Sequence, residues 1–469
     1  MSGDGHGRAS AGAGAAGRRH ELAARAAAET ALEAAVAAGA EAADAWAERR
    51  RSRRVVVWRE AVEELGEAVS CGVGVRAFVD GRWGFAYASG FASDELAEAA
   101  RAAVALARIA DRETGAGLPD HCGQAGVPDL ADERLLAATS DHCVELARAC
   151  ERAARAQRAV TDVEQVVYQD AWLEVALANS ASFAGAFTAS SAWMYCTAFA
   201  GEVGERMSGF GLDIARAPHG LDPERTGREA GERAALLAGA TKPPSRRCAV
   251  VFDAFAAAAL VAAVGEMLSA EQVERGRSPF ADKLGAEVAS SSLTIADDAT
   301  LPDGPASAPF DGEGSPTGRT ELIAGGRLLT FVHDVRTARR AGTNTTANAL
   351  RSSYRTPPVV GVSNLVVAGE QVPFAQLLAT LGDGFYITDL SGLHSGVNPV
   401  SGTFSVGASG VVVRGGELAE PAREMTVAGS LTDLLRNVQA LGDDRRWVPL
   451  AGSVSTPSLL VDGITVSGR

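Results

Sequence analysis

The sequence predicts an α+β protein, with an N-terminal domain of antiparallel sheet and flanking helices and a β-rich C-terminal domain with a central buried helix. Three observations carry this. Helical spacing of apolar residues alternates with period-two runs as far as about residue 240, and after Ser290 the pattern is almost wholly short β runs separated by Gly, Pro and Asn. Between them lies the longest strictly apolar stretch, Ala254 to Val264, too short to span a bilayer. A chain of 469 residues is long enough for two or three cores, and 46% hydrophobic with 22% charged residues excludes wholesale disorder.

Taken in order, residues 1–18 are Gly/Ala/Ser-rich without a hydrophobic period and read as a disordered tail. The N-terminal α+β domain spans residues 19–241. It opens with an amphipathic helix from Glu21 to about Gly39, carried by Leu22, Ala26, Leu32 and Val36. Alternation from Ala43 to Ala88 predicts antiparallel strands, with Asp80-Gly81 as a two-residue hairpin turn. Within it, Arg49, Arg50, Arg51, Arg53 and Arg54 read as a solvated turn. Ser93 is placed to cap a second helix ending near Ala110, because a hydroxyl can accept a free first-turn N–H. A helix over about Asp129 to Ala159, strands from Val160 to Ala200 and a helix from Glu224 to Leu237 follow. Lys242-Pro243-Pro244-Ser245 is the clearest linker, so the C-terminal domain is residues 242–469, opening with a buried strand, Cys248 to Phe252, and the apolar helix, Ala254 to Leu268.

Lys and Arg total 44 against 58 Asp and Glu, a formal charge of −14 that argues against direct nucleic-acid binding. No apolar signal segment stands at the N-terminus and no run predicts a membrane span, so a cytoplasmic protein without a membrane partner is expected. The six cysteines show no CxxC and read as free thiols. His121-Cys122, His142-Cys143 and Cys150 match no zinc-module spacing. Gly72-x-Gly74 lies within strands, which excludes a dinucleotide fingerprint, and no GxSxG elbow occurs; Ser405 reads as a strand residue. Asp311, Glu313 and Glu321 read as acids solvating a Gly-rich turn. The segment from Asp389 to Gly407 is different. Its glycines permit close backbone approach, while Ser391, His394, Ser395, Asn398 and Ser401 offer donors and acceptors suited to an extended peptide. The same residues also suit a long turn punctuated by Asn-Pro, and both readings stay open.

Several blocks in one order extend the reading: Ser292-Leu293-Thr294-Ile295, ASAPFDGEG from Ala306 to Gly314, GLHSGVNPVSGTFSVGASG from Gly392 to Gly410, and the stretch from Ala428-Gly429 through Asn437 and Gly442-Asp443 to Gly452-Ser453. Together with the hairpin GVGVRAF they resemble the TldD/PmbA family, in its PmbA branch, also called TldE. In that family the TldD subunit is a zinc metallopeptidase with a His-Glu-x-x-x-His helix, and the TldE subunit pairs with it to trim peptides in an enclosed cavity. The resemblance sets that helix on Val261 to Glu266, with Val261 and Glu266 at the His positions and Ala262 at the Glu position. Neither Val nor Ala can ligate zinc or move a proton, and one carboxylate does not hold the metal. The resemblance therefore implies no catalytic residue, no metal and no cofactor in this chain, with zinc in a TldD-type partner subunit and a peptide as substrate. Ser391, His394, Ser395, Asn398 and Ser401 become candidates for lining the cavity or the subunit contact. The alternative is a stand-alone peptide-binding or scaffold protein, a homodimer in isolation.

Overall fold

The computed structural model describes residues 6–202 and 204–469, with side chains from Leu22 onward. Helix α1 (His6–Ala37) begins inside the segment read as a tail, of which residues 1–5 lie outside the described residues. Strands β1 (Ala42–Trp58), β2 (Ala61–Val79), β3 (Arg82–Ser89), β4 (Val160–Asn179), β5 (Phe183–Ala200) and β6 (Met207–Ala215) form one antiparallel sheet in the order β3-β2-β1-β4-β5-β6. Asp80 and Gly81 both take positive φ, 51° and 71°, as a two-residue hairpin matched to strand twist requires.

The arginine run is a correction. Arg49 to Arg54 is not a solvated turn but the middle of β1, paired with β2 on one side and β4 on the other. Register explains it: Arg53 lies directly opposite Asp170 of β4 and, though buried, binds its Oδ2 through Nε at 3.0 Å and Nη2 at 2.7 Å. Arg49 stands opposite Glu174 at 3.6 Å. Cross-strand carboxylates neutralise a run that looks unpaired in one dimension.

One face of the sheet carries helices. Ala43, Ala45, Ala47, Val55 and Val57 of β1 share that face by the two-residue period, and α1 and α2 (Ser93–Ile109) cover its first part. The cap of α2 differs from expectation: Ser93 is already helical, Ala92 precedes it without a side-chain bond, and Asp94 and Glu95 remain to complement the dipole. The long helix expected to about Ala159 is broken into α3 (Arg134–Ala137) and α4 (Ser140–Arg155), because Thr139 turns extended and its hydroxyl accepts the His142 N–H at 3.2 Å. Helix α5 (Pro223–Leu236) lies against α4 so closely that a Cβ on Gly227 would stand 2.0 Å from the Cys150 carbonyl oxygen.

Past the Lys242–Ser245 linker, β7 (Arg246–Phe252) enters a barrel. It pairs with Gly384–Ser391 and with the final strand Leu459–Ser467; the ring is completed by Thr403–Arg414 and Glu417–Ser430. Helix α6 (Ala254–Met267) follows β7 directly. Its N-cap Asp253 accepts the Ala256 N–H at 2.8 Å and is bound by Arg233 of α5, which also donates to the Thr388 carbonyl at 2.6 Å. The N-terminal domain thereby fixes the start of α6. As expected for a helix without a polar face, α6 is central and buried, between the barrel and a second six-stranded sheet that ends in Ser453–Thr456 and Arg446–Val448.

Candidate functional site

The second half of α6 forms one wall of a cleft of about 480 Å³, whose other walls include Leu350, Val362, Pro399 and the backbones of Gly361 and Gly452. Val261 and Ala262 point into the core, 1% and 9% exposed, while Glu266 is exposed and lines the cleft. Gln272 and Arg277 add polar groups nearby. The Leu350 and Val362 walls are held from beneath by Asp297, which accepts from Asn348 Nδ2 at 2.6 Å, Ser363 N at 2.7 Å and Ser363 Oγ at 2.9 Å. Burial pushes the Asp297 carboxyl up to about 6, against the lowering effect of those three bonds.

The donor set does not fit a zinc ion. A tetrahedral site needs three or four N, S or O ligands; Val261 and Ala262 offer none, and Glu266 stands alone. Among the described residues no three His, Cys, Asp or Glu side chains converge as a metal would require. Cys143, Cys150 and Cys196 are buried among apolar neighbours, and all six cysteines are unpaired.

The segment 389–407 leaves the barrel strand at Ser391, makes one helical turn over Leu393–Gly396 and re-enters the sheet at Thr403. Ser391, His394, Ser395, Asn398 and Ser401 are all exposed. Asn398 holds the turn: its Oδ1 accepts from Val400 N at 2.9 Å and Ser401 N at 3.2 Å, while Ser401 and Thr403 hydroxyls share a bond of 2.7 Å. The turn geometry and an exposed polar rim therefore coexist in one segment. Pro399 brings it to the cleft beside Glu266; none of the five candidates, Ser391, His394, Ser395, Asn398 and Ser401, lines that cleft.

Sequence reasoning missed a buried charge network where the two domains meet. Arg76 of β2 donates to Asp44 Oδ2 from Nε at 2.8 Å and Nη2 at 2.6 Å, and from Nη1 to Glu313 Oε1 at 2.6 Å. Arg351 Nη2 reaches Asp44 Oδ1 at 2.7 Å, and Glu313 Oε2 accepts the Val335 N–H at 2.9 Å. Asp311 and Glu313 are thus not acids solvating a turn but buried groups, 4% and 1% exposed. Asp311 accepts three backbone N–H groups, from Glu313, Ser315 and Ala349, while burial and then the Glu313 charge push it up to about 7. The one available signal was Arg76 itself, a charge inside the otherwise apolar run GVGVRAFV.

Comparison with known proteins follows this architecture. Residues 43–107, 133–238 and 245–468 match, in turn, domain 1, the central domain and the C-terminal domain of the PmbA/TldA metallopeptidases. The metalloprotease PmbA of Escherichia coli O157:H7 is 28% identical over 396 residues, 83% of this chain and 85% of its own length. A TldD homologue from Haemophilus influenzae, also named a metalloprotease, is 26% identical over 87% of this chain and 89% of its own. A Thermotoga maritima crystal structure described as a modulator of DNA gyrase superposes with a TM-score of 0.81 at 26% identity, covering 94% of this chain and 99% of that one. TldE from Thermococcus kodakarensis shares the fold, with a TM-score of 0.85 at 20% identity over 94% and 99% of the two chains. No helix among the described residues is long and apolar enough to cross a membrane. The domain matches, the full-length relatives and the shared fold together place this chain in the TldD/PmbA family, on its PmbA/TldE branch.

Proposed function

We propose that this chain is a non-catalytic subunit of a heterodimeric zinc metallopeptidase, paired with an HExxxH-bearing TldD-type subunit that holds the metal, and that it supplies part of the wall against which an unfolded peptide or small peptide conjugate is bound. The observation that carries the reading is the helix α6: Val261, Ala262 and Glu266, which the family resemblance assigns to the His, Glu and His positions of the catalytic helix, include no His, and the first two are built into the hydrophobic core. A buried Val and Ala cannot bind zinc or activate water by any rotamer change. The cleft beside Glu266, with glycine backbones at Gly361 and Gly452 and a rim from the 389–407 turn, has the size and small-residue lining an extended peptide needs. The test is reconstitution: this chain alone, the closest HExxxH-bearing relative from the same source alone, and the two together, assayed for cleavage of an unfolded peptide. The reading expects full activity only from the mixture, abolished by replacing a ligand His in the relative. Peptide cleavage by this chain alone, or full activity of the relative without it, overturns the reading.

A further inference from the structure

Two sheets of this molecule end in strands paired on one side only: β6 with β5, and Arg446–Val448 with Ser453–Thr456. Both free edges border one cleft of about 430 Å³, lined by residues 212–216 on one side and 445–447 on the other. It shares no lining residue with the cleft beside Glu266. A strand with one neighbour presents unpaired backbone N–H and C=O groups to any extended chain that enters.

The charges in this cleft do not balance locally. Arg225 is answered by Asp213 at 2.5 Å and Arg446 by Glu229 at 2.8 Å. Arg216 and Arg445 have only neutral partners. Arg216 donates to the carbonyls of Ser190, Pro302 and Gly304, and Arg445 to Ser455 O and Oγ and to Val367 O; among the described residues neither forms an ion pair. Burial lowers both guanidinium pKa values, offset at Arg216 only in part by Asp303, whereas at Arg225 burial, the largest single effect, is outweighed by the bond to Asp213 together with the charges of Asp213, Asp222 and Glu229. Asp303 itself is exposed and accepts the Trp447 indole N–H at 3.2 Å. On a chain of net charge −14, a cleft that sets four arginines, Arg216, Arg225, Arg445 and Arg446, against the two carboxylates of Asp213 and Asp303 is a complement kept open for an anion.

We propose that this cleft binds an extended acidic peptide segment, its backbone added to the free edge of β6 and its carboxylates received by Arg216 and Arg445. Residues 212–215 supply the end of the β6 edge, where the Ile214 N–H is already held by Asp213 Oδ1 at 3.1 Å and a bound chain would use the remaining groups, and Trp447 supplies an apolar wall. The site stands on this chain's own residues and does not depend on its having a catalytic partner.

The test is fluorescence anisotropy of the full chain with a labelled, C-terminally amidated peptide alternating Glu and Val, beside its Gln counterpart and a Gln peptide with a free C-terminus. Saturable binding of the Glu peptide is expected, weakened at least about tenfold by the Gln exchange, by added salt and by the double variant Arg216→Gln/Arg445→Gln. Arg101→Gln, an exposed charge on α2, controls for net charge and should leave binding unchanged. If the free-terminus Gln peptide matches the Glu peptide, the carboxylate recognised is a chain end; if it does not, it is a side chain. N-methylation of alternate residues should abolish binding. Arg216 ties three carbonyls, so Arg445→Gln alone decides where the double variant fails to fold. No saturable binding, equal affinity for the amidated Gln peptide, equal weakening by Arg101→Gln, or indifference to N-methylation overturns the proposal.

Discussion

Replacing Arg76 by Met removes the hub of the domain junction. The side chain is 7% exposed and its three short bonds reach two carboxylates that are 0% and 1% exposed, those of Asp44 and Glu313. The network of Arg76, Arg351, Asp44 and Glu313 goes from neutral to one net negative charge. Asp44 keeps Arg351 at 2.7 Å, but Glu313 keeps only the Val335 N–H at 2.9 Å. Removing one partner of a buried ion pair costs about 3–5 kcal/mol, chiefly through the charge left behind. By contrast Arg54→Met breaks an exposed cross-strand pair with Glu64, 3.2 Å long, and should cost less than about 1 kcal/mol. The loss in Arg76→Met also has a pH signature. A buried carboxylate deprived of its cation takes up a proton more readily than in the unfolded chain, so the deficit relative to the parent shrinks as pH falls. Urea unfolding followed by circular dichroism, at neutral and mildly acidic pH, measures both. A deficit below about 1 kcal/mol at neutral pH, or one unchanged on acidification, would show that the network does not carry the junction.

Three further outcomes follow from particular atoms. Asp311 and Asp297 hold protons in the folded chain up to about 7 and about 6. Their stabilising contribution is therefore complete below the ordinary Asp range and is lost as pH rises through those values, on the order of 2–4 kcal/mol for Asp311 between acid and neutral pH. Asp311→Asn should flatten that slope in a pH series of unfolding curves while adding a fixed cost, since an amide NH₂ then competes at the Ala349 N–H; an unchanged slope contradicts the assignment. Gly410→Ala would set a Cβ 2.0 Å from the Tyr386 carbonyl oxygen on the adjoining barrel strand, and a thermal melt should show a loss of at least about 1–3 kcal/mol. Asn398→Ala loses two turn bonds and about 1 kcal/mol, and in the reconstituted peptidase assay its activity should fall by more than its stability accounts for; an activity loss no greater than the stability loss leaves Asn398 a turn residue only.

Much of the fold was legible because it rests on short-range pattern. Asp80-Gly81 specifies its hairpin, and a helix with no polar face, such as α6, has nowhere to go but the interior. What stayed hidden depends on partners distant in the chain. The barrel closes when the last strand, Leu459–Ser467, pairs with the first, β7, and no local signal encodes that pairing. Arg53 looked solvated because Asp170 lies 117 residues away, and Glu313 because Arg76 lies 237 away. Buried ion pairs are invisible to a reading that scores each charge alone. For the candidate site, the resemblance assigned Val261, Ala262 and Glu266 to the HExxxH positions from the sequence alone. The cleft beside Glu266, assembled from α6, the 389–407 turn and the loops around Leu350 and Gly452, was not.

The central claim is that zinc and catalysis belong to a partner and not to this chain. Metal analysis after gel filtration tests it most directly, on the purified chain and on its complex with the HExxxH-bearing relative, each loaded with zinc and washed. The account predicts near-zero zinc in the chain alone and about one ion per heterodimer, lost on replacing a ligand His of the relative. About one tightly held zinc per copy of the isolated chain would contradict it, and would require a ligand set that Val261, Ala262 and Glu266 cannot supply.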